Sequence, residues 1–385
     1  MQMMRLMQRY QTLCLGLLVN LMALAMPLIV QAQLSKPPVI RWDSVPPLPD
    51  KEGFAGMFAG IVDGRLVVAG GANFPNGYPW EGGKKFWYNK IYILDSKQAK
   101  SWKVSSVTLP KPLAYGVSYT IGNRLICAGG ETGPMPGENP AIPSSCISDV
   151  FSLRFHDGQL SIETVPDLPD SARDSAGAVI GTRLLHFGGI KQTDSKTAEN
   201  KLQVLDLADS KPQWKDATPL PASGRIQSVA ASINNELLIF GGIEIERDSQ
   251  GIASRKMPYL KETWKFQPGN PFELGHWIKL HDMPTDIAAS PGPAWNYDQN
   301  RLAIVGGVHS ASHRLPQKGH PGWGHDIYLY DTSQDRWTTL KNSIPVGKSC
   351  VTAPSIAWGQ DYFLISGEKS PGKRSPEVFR LTKGH

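Results

Sequence analysis

Seven polar residues of this 385-residue chain have the types needed to hold an acidic small molecule and move a proton on it. Glu368 and Arg374 stand six positions apart, Asn73 and Glu131 follow glycine pairs, and Tyr115, Arg173 and Arg225 come just before small, apolar segments. An arginine fork donates two parallel hydrogen bonds and so suits a carboxylate. A glutamate in a partly desolvated funnel can accept a proton. Carboxylate capture with proton transfer is one chemistry open to this set. Solvated ion pairs on surface loops are the other, and spacing alone does not separate them. Glu81, Lys84 and Lys85 fall in the same loop as Asn73. His309, His313, His320 and His325 crowd one stretch. With no helix to align them and no cysteine or carboxylate set beside them, they read as solvated loop histidines rather than a zinc site. His320-Pro321-Gly322 is expected to shape a funnel wall.

The element that must position these residues is a repeat. Six apolar strands end in a glycine-centred stop: Ala69-Gly70-Gly71, Ala128-Gly129-Gly130, Phe187-Gly188-Gly189, Phe240-Gly241-Gly242, Val305-Gly306-Gly307 and, degenerate, Ser366-Gly367-Glu368. Their last residues are 59, 59, 53, 65 and 61 positions apart. A repeat of that length carrying only strands and turns predicts an all-β fold, a six-bladed propeller. Each unit begins with a small, apolar strand (54–62, 115–121, 176–180, 228–233, 291–296, 351–358) and a tight polar turn. Trp102, Trp214, Trp277 and Trp337 mark fourth strands and are expected to pack between blades. The sixth unit lacks a fourth strand, and residues 39–45, followed by Leu48-Pro49, supply it, so that the N-terminal strand closes the ring. Long second-to-third loops (72–90, 131–146, 243–261, 308–325) all emerge on one rim, which marks the binding face.

Residues 1–32 have the form of a secretory signal: Arg5 and Arg9, a mostly apolar stretch over 13–30, and Val30-Gln31-Ala32 before a cut at Gln33. A retained anchor is the alternative. The expected organisation is therefore a signal, 1–32, and one propeller domain, 33–385, in a periplasmic or secreted protein. Cleavage removes two arginines and no acid, so the formal charge falls from +6 to +4. No Lys/Arg stripe forms, which argues against nucleic acid as a partner. No later segment approaches the ~20 apolar residues of a membrane span. Cys127, Cys146 and Cys350 remain, an odd number; Cys127 and Cys146 fall in neighbouring strands and are placed to pair. Gly-x-Ser-x-Gly, phosphate-loop and Cys-x-x-Cys motifs are absent, as are the Ser-x-Asp-x-Gly-x-Thr-Trp boxes of sialidases and a Tyr/His/Cys copper-oxidase set.

Three passages carry a family resemblance: Gly53-Phe54-Ala55-Gly56 through Gly70-Gly71-Ala72-Asn73-Phe74; Leu113-Ala114-Tyr115-Gly116-Val117-Ser118 with Gly129-Gly130-Glu131-Thr132-Gly133; and Gly367-Glu368-Lys369-Ser370-Pro371-Gly372-Lys373-Arg374-Ser375. In these the chain resembles the kelch-type N-acetylneuraminate epimerases (sialic acid mutarotases), particularly their cyclically permuted group. The resemblance implies a kelch-type propeller that interconverts the anomers of a sialic acid, an isomerase acting on a small acidic sugar with no cofactor and no metal. It maps the family's proton acceptor onto Glu368 and its paired arginine onto Arg374. Whether Arg374 clamps the sugar carboxylate or stabilises developing charge is open, with Arg173 or Arg225 as the other possible clamps. Asn73, Tyr115 and Glu131 join the expected substrate-binding set. A kelch propeller that binds a glycan or protein without chemistry is the alternative, and a mutarotase for another acidic sugar is a third reading.

Overall fold

In each repeat a strand of small apolar residues enters a short polar turn and returns as a buried strand, the pattern of a hairpin packed between neighbouring sheets. Asp63 and Gly64 (φ 51° and 74°) and Asn234 and Asn235 (53° and 61°) supply the left-handed backbone that two such turns need. The computed structural model describes residues 38–247 and 253–384. The expected signal lies outside the described residues.

Within them six four-stranded antiparallel sheets form. Blade 1 runs Phe58–Val62, Arg65–Ala69, Ile91–Leu94 and Lys103–Val104, and blade 2 runs Val117–Ile121, Arg124–Thr132, Ser145–His156 and Gln159–Thr164. Blade 3 is Ala176–Ile180, Arg183–Phe187, Leu202–Asp206 and Trp214–Ala217; blade 4 is Val229–Ile233, Glu236–Phe240, Thr263–Gln267 and His276–Leu280. Blade 5 consists of Trp295–Asn296, Arg301–Val305, Ile327–Asp331 and Arg336–Leu340. Blade 6 joins Ser355–Trp358, Asp361–Ile365 and Val378–Lys383 to Ile40–Val45, with Ile40 opposite Lys383 and Val45 opposite Val378. The innermost strands touch one another in a closed circle, from blade 1 round to blade 6 and back. The expected ring and its seam are both present.

Tryptophans fasten the perimeter. Trp102, Trp214, Trp277 and Trp337 donate their indole N–H to Pro46, Pro166, Thr218 and His281 carbonyls of the preceding blade, at 2.7, 2.8, 2.8 and 3.0 Å. Trp42 does the same to Ser343 across the blade 5–6 interface at 3.1 Å. An amphipathic ring suits this position, its body in the interblade core and its donor satisfied.

The axis is held by backbone. Six residues, one per blade, adopt left-handed conformation: Gly56, Tyr115, Asp174, Gln227, Ala289 and Thr352, with φ between 49° and 68°. Each donates its N–H to the carbonyl of the previous one, and Gly56 donates to Thr352, so six bonds of 2.8–2.9 Å close a circle. Outside it, Gly71, Gly130, Gly189, Gly242 and Gly367 donate to the residue two positions before the next blade's ring member: Leu113, Ala172, Arg225, Ile287 and Phe54. In blades 1, 2 and 4 the preceding glycine must have no side chain, since a Cβ on Gly70, Gly129 or Gly241 would lie 2.2–2.5 Å from a carbonyl oxygen of the next blade.

Two expectations need correction here. Blade 6 is out of frame in the sequence alignment: Ser366 (φ 58°) and Gly367 (φ 99°) occupy the two glycine slots, and Glu368 follows them as Ala72 follows Gly71. Ser366 is not a degraded glycine. Its hydroxyl accepts from Phe54 N at 2.7 Å and lies 2.6 Å from Ser375 O, tying blade 6 to blade 1. Cys127 and Cys146 do not pair. Cys146 sits opposite Glu131, four residues along the strand from Cys127, a separation of about 13 Å that no disulfide bridges. All three described cysteines are free thiols.

Two outcomes test this architecture. Gly56→Ala puts a Cβ 2.5 Å from the Tyr115 ring at φ +68°, and should cost about 2 kcal/mol or more in denaturant melts; an unchanged midpoint would remove the ring's strict geometry. His186 is fully buried beside Tyr119 Oη (3.1 Å), and burial depresses its pKa to about 4. Between pH 6.5 and that value the unfolded chain binds more protons, so stability is complete above 6.5 and declines on acidification by about 3 kcal/mol. His186→Phe should flatten that slope in urea titrations across the same pH range.

Candidate active site

Because strand residues alternate sides, position relative to the backbone circle decides what each side chain faces. The circle residues Tyr115, Asp174, Gln227, Ala289 and Thr352 form the floor of an axial cleft on the long-loop rim. Arg173 and Val351, each one residue before a circle member, and Val308 and Glu368, each just after a glycine-type stop, form its wall. Lys85, Arg255, His313, Trp323, Pro371 and Arg374 complete it. The cleft encloses ≈ 740 Å³ including its mouth, within the range of small-ligand sites. A narrower channel continues below the floor along the axis, lined by Gly116, Ser175, Ser228 and Ser290.

Glu368 and Arg374 meet because their segment is a hairpin. Glu368–Ser370 pairs with Lys373–Arg374, Glu368 directly opposite Arg374, around a Pro371-Gly372 turn with Gly372 at φ 74°. Pro then Gly at the two central positions is the type II signature. Arg374 Nη1 donates to Glu368 Oε2. Among the described residues no group bonds Glu368 Oε1. The loop of blade 1 supports the hairpin from across the seam: Phe74 lies 5.1 Å from the Arg374 guanidinium, and Pro79 packs on Gly372 so closely that a Cβ there would be 2.6 Å away. Trp323 Nε1 donates to the Glu368 carbonyl at 2.8 Å.

On the other side Arg173 Nη1 donates to Glu131 Oε2 at 2.6 Å. Lys85, 3.9 Å from the same oxygen, rests over the Trp87 and Tyr115 rings at 4.9 and 5.1 Å. Four cationic side chains (Lys85, Arg173, Arg255, Arg374) face two carboxylates (Asp174, Glu368) across the cleft. The excess of positive charge suits an anionic ligand.

The structure brings Tyr115, Arg173, Glu368 and Arg374 to one cleft and sets Glu131 directly behind Arg173. It does not bring Asn73 or Arg225 there. Arg225 sits two residues before its circle member, in the slot filled by Phe54, Leu113 and Ile287 in other blades, so its side chain enters the interblade core. There it is wholly buried and bonds Glu262 Oε2 at 2.7 Å. Asn73 is one residue past the Glu131/Glu368 slot and points the other way; it donates to Gly53 O at 2.9 Å and accepts from Tyr88 Oη at 2.7 Å. Glu81 and Lys84 are exposed on the loop and do not line the cleft.

The four histidines also differ from expectation. None is freely solvated: His309, His320 and His325 each bond a backbone carbonyl, of Asp286, Ser312 and Ile344, at 2.7–3.0 Å. His313, on a single helical turn Ser310–His313, lines the cleft, and burial, with Arg255 and His320 nearby, holds its pKa below the usual histidine value. His320 lies beside Trp323, with ring centroids 4.8 Å apart and planes tilted by 53°, but His320, Pro321 and Gly322 do not themselves line the cleft. Asp174, Gln227 and Trp323 were missed. Counting from the next blade's known position finds the first two, because the circle residues recur with the blade; Trp323 lies in a loop with no repeat partner.

A ring of six antiparallel sheets around an axial cleft defines a six-bladed β-propeller. The KLHDC2/KLHL20/DRC7 Kelch-repeats domain model matches residues 117–367, and the chain belongs to the kelch-repeat family. A model described as N-acetylneuraminate epimerase matches residues 24–162. Among curated relatives, an N-acetylneuraminate epimerase of Yersinia pestis (strain Pestoides F) is 34% identical over 140 residues, 32% of each chain. One from Haemophilus influenzae (strain PittEE) is 31% identical over 244 residues, 56% of this chain and 58% of the relative. The chain thus spans about a third of the length of the first of these relatives and just over half of the second. A solved structure titled "Structure of YjhT" superposes with a TM-score of 0.56 at 15% identity, covering 75% of this chain and 84% of that one, and so shares the fold.

Proposed function

We propose that this protein is a mutarotase that interconverts the α and β anomers of N-acetylneuraminate, acting in the periplasm or outside the cell after loss of the signal at 1–32. The observation that carries the reading is the Glu368–Arg374 pair on the wall of a cleft with excess positive charge. Partial matches to N-acetylneuraminate epimerases support it. A ring opened at a different blade would align with an unpermuted relative only in pieces, in keeping with the partial coverage.

In this mechanism Glu368 takes the proton of the anomeric hydroxyl through its unengaged oxygen as the ring C–O bond breaks. An acid or a bound water protonates the ring oxygen, giving the open-chain keto form with no change of oxidation state. The carbonyl turns, and the ring recloses from its other face with the proton transfers reversed. Arg374 holds Glu368 in place through a charge-assisted hydrogen bond. The apolar wall of Val308, Trp323 and Val351 limits water at the reacting centre.

Proton NMR of freshly released α-N-acetylneuraminate provides the test. The protein should speed its decay toward the β anomer, and Glu368→Gln should slow the catalysed rate by about 10²–10⁴-fold while the chain stays folded. Equal decay with and without protein would reject the reading. The alternative, a propeller that binds a glycan without chemistry, predicts binding in the absence of any acceleration.

A further inference from the structure

Only two of the six blades carry a carboxylate in the slot after the left-handed stop: Glu131 in blade 2 and Glu368 in blade 6, where the others have Ala72, Ile190, Ile243 and Val308. Each of the two holds an arginine, Arg173 or Arg374. The pairs share chemistry and backbone position but not surroundings. The Glu131 side chain is 3% exposed and both its oxygens are taken, Oε1 by Ser144 Oγ at 2.5 Å and Oε2 by Arg173 at 2.6 Å. That of Glu368 is 17% exposed and bonded through one oxygen. Both oxygens of Glu131 are thus engaged, and its burial behind Arg173 keeps it out of a ligand's reach.

We propose that Glu131 is a positioning residue and that Arg173, with Lys85, is the clamp for the substrate's carboxylate. The inference rests on the mutarotase reading and divides its labour between the two Glu–Arg pairs. Arg173 is held by Glu131 at Nη1, with Asp174 3.5 Å from its Nε, and its side chain lines the cleft. Lys85 is fixed beside it by two aromatic rings and the same Glu131 oxygen. Of the other arginines, Arg225 is sealed in the core and Arg374 is bonded to Glu368, while Arg255, from blade 4, also lines the cleft. A carboxylate gripped on the blade 2–3 side would leave the anomeric carbon facing the blade 6 hairpin.

The test uses the full chain and two probes that cannot open their rings: the 2-O-methyl glycoside of N-acetylneuraminate and its methyl ester, which lacks the negative charge. Calorimetry should show tighter binding of the acid. Arg173→Gln should weaken the acid by about 10- to 100-fold and leave the ester nearly unchanged, as loss of a charge-assisted bond requires. Arg173→Lys should restore part of the acid preference. Glu131→Gln should lower that preference less than Arg173→Gln does, and in the anomerisation assay it should raise KM more than it lowers kcat. Should Glu131→Gln fail to fold, the two Arg173 variants decide alone. An acid preference that survives Arg173→Gln overturns the clamp, even with mutarotation intact. A preference that depends on Arg173 without any acceleration of mutarotation keeps the clamp and removes the proposed activity.

Discussion

Everything on the binding face hangs from six peptide hydrogen bonds that run head to tail around the axis. Because Gly56, Tyr115, Asp174, Gln227, Ala289 and Thr352 are all left-handed, each turns its N–H along the circle, and the five that are not glycine line the cleft. Five of the six are not glycine, and a left-handed L-residue costs about 1–2 kcal/mol. Strain of that kind persists where surrounding structure over-determines it, commonly at functional sites. Here the outer contacts, from the second glycine of each stop to the next blade, supply that over-determination. The floor of the cleft is thus held by rigid main chain, and Arg173, one step before the circle, and Glu368, one step after a stop, stand above it with Lys85 and Arg374 from the loops.

That one-residue logic separates what the amino-acid sequence reveals from what it hides. The repeat, the closing strand and the identity of the binding rim are legible because hairpin turns and glycine stops recur with the blade. The Glu368/Arg374 segment is legible too, since Pro371-Gly372 sets its two ends opposite each other. Orientation within a slot is harder. Arg173 and Arg225 look equivalent in sequence, yet they stand one and two residues from their circle members, so one faces the cleft and the other the core. Asn73 and Glu131 differ in the same way. Ser366 deceives for another reason: a serine at positive φ replaces a glycine because its hydroxyl has bonds to make at the seam.

The binding face is also lopsided. Blades 1, 2 and 6 with the edge of blade 3 deliver Lys85, Glu131, Arg173, Glu368 and Arg374, whereas blades 4 and 5 contribute Arg255, His313, Trp323 and apolar wall. In the slot after the stop, the same contrast appears as glutamate against isoleucine or valine. The blades have thereby become a half rich in paired charge and a mostly apolar half without any change in backbone plan, as where function is grafted onto a scaffold.

The shared sheet of blade 6 gives assembly a direction. Blades 1 to 5 pair residues close in sequence and can form locally, while Ile40–Val45 must meet Val378–Lys383 across more than three hundred intervening residues. Contacts so remote are paid for in chain entropy before they return anything, so ring closure belongs late in folding. Until then two sheet edges lie open, and an unfinished ring is a template for joining another chain. Phe74 and Pro79 press on the Arg374 hairpin only across that same junction. The Glu368–Arg374 wall of the cleft therefore comes into being with the last joint to shut, so that a half-built ring has a rim but an unfinished pocket.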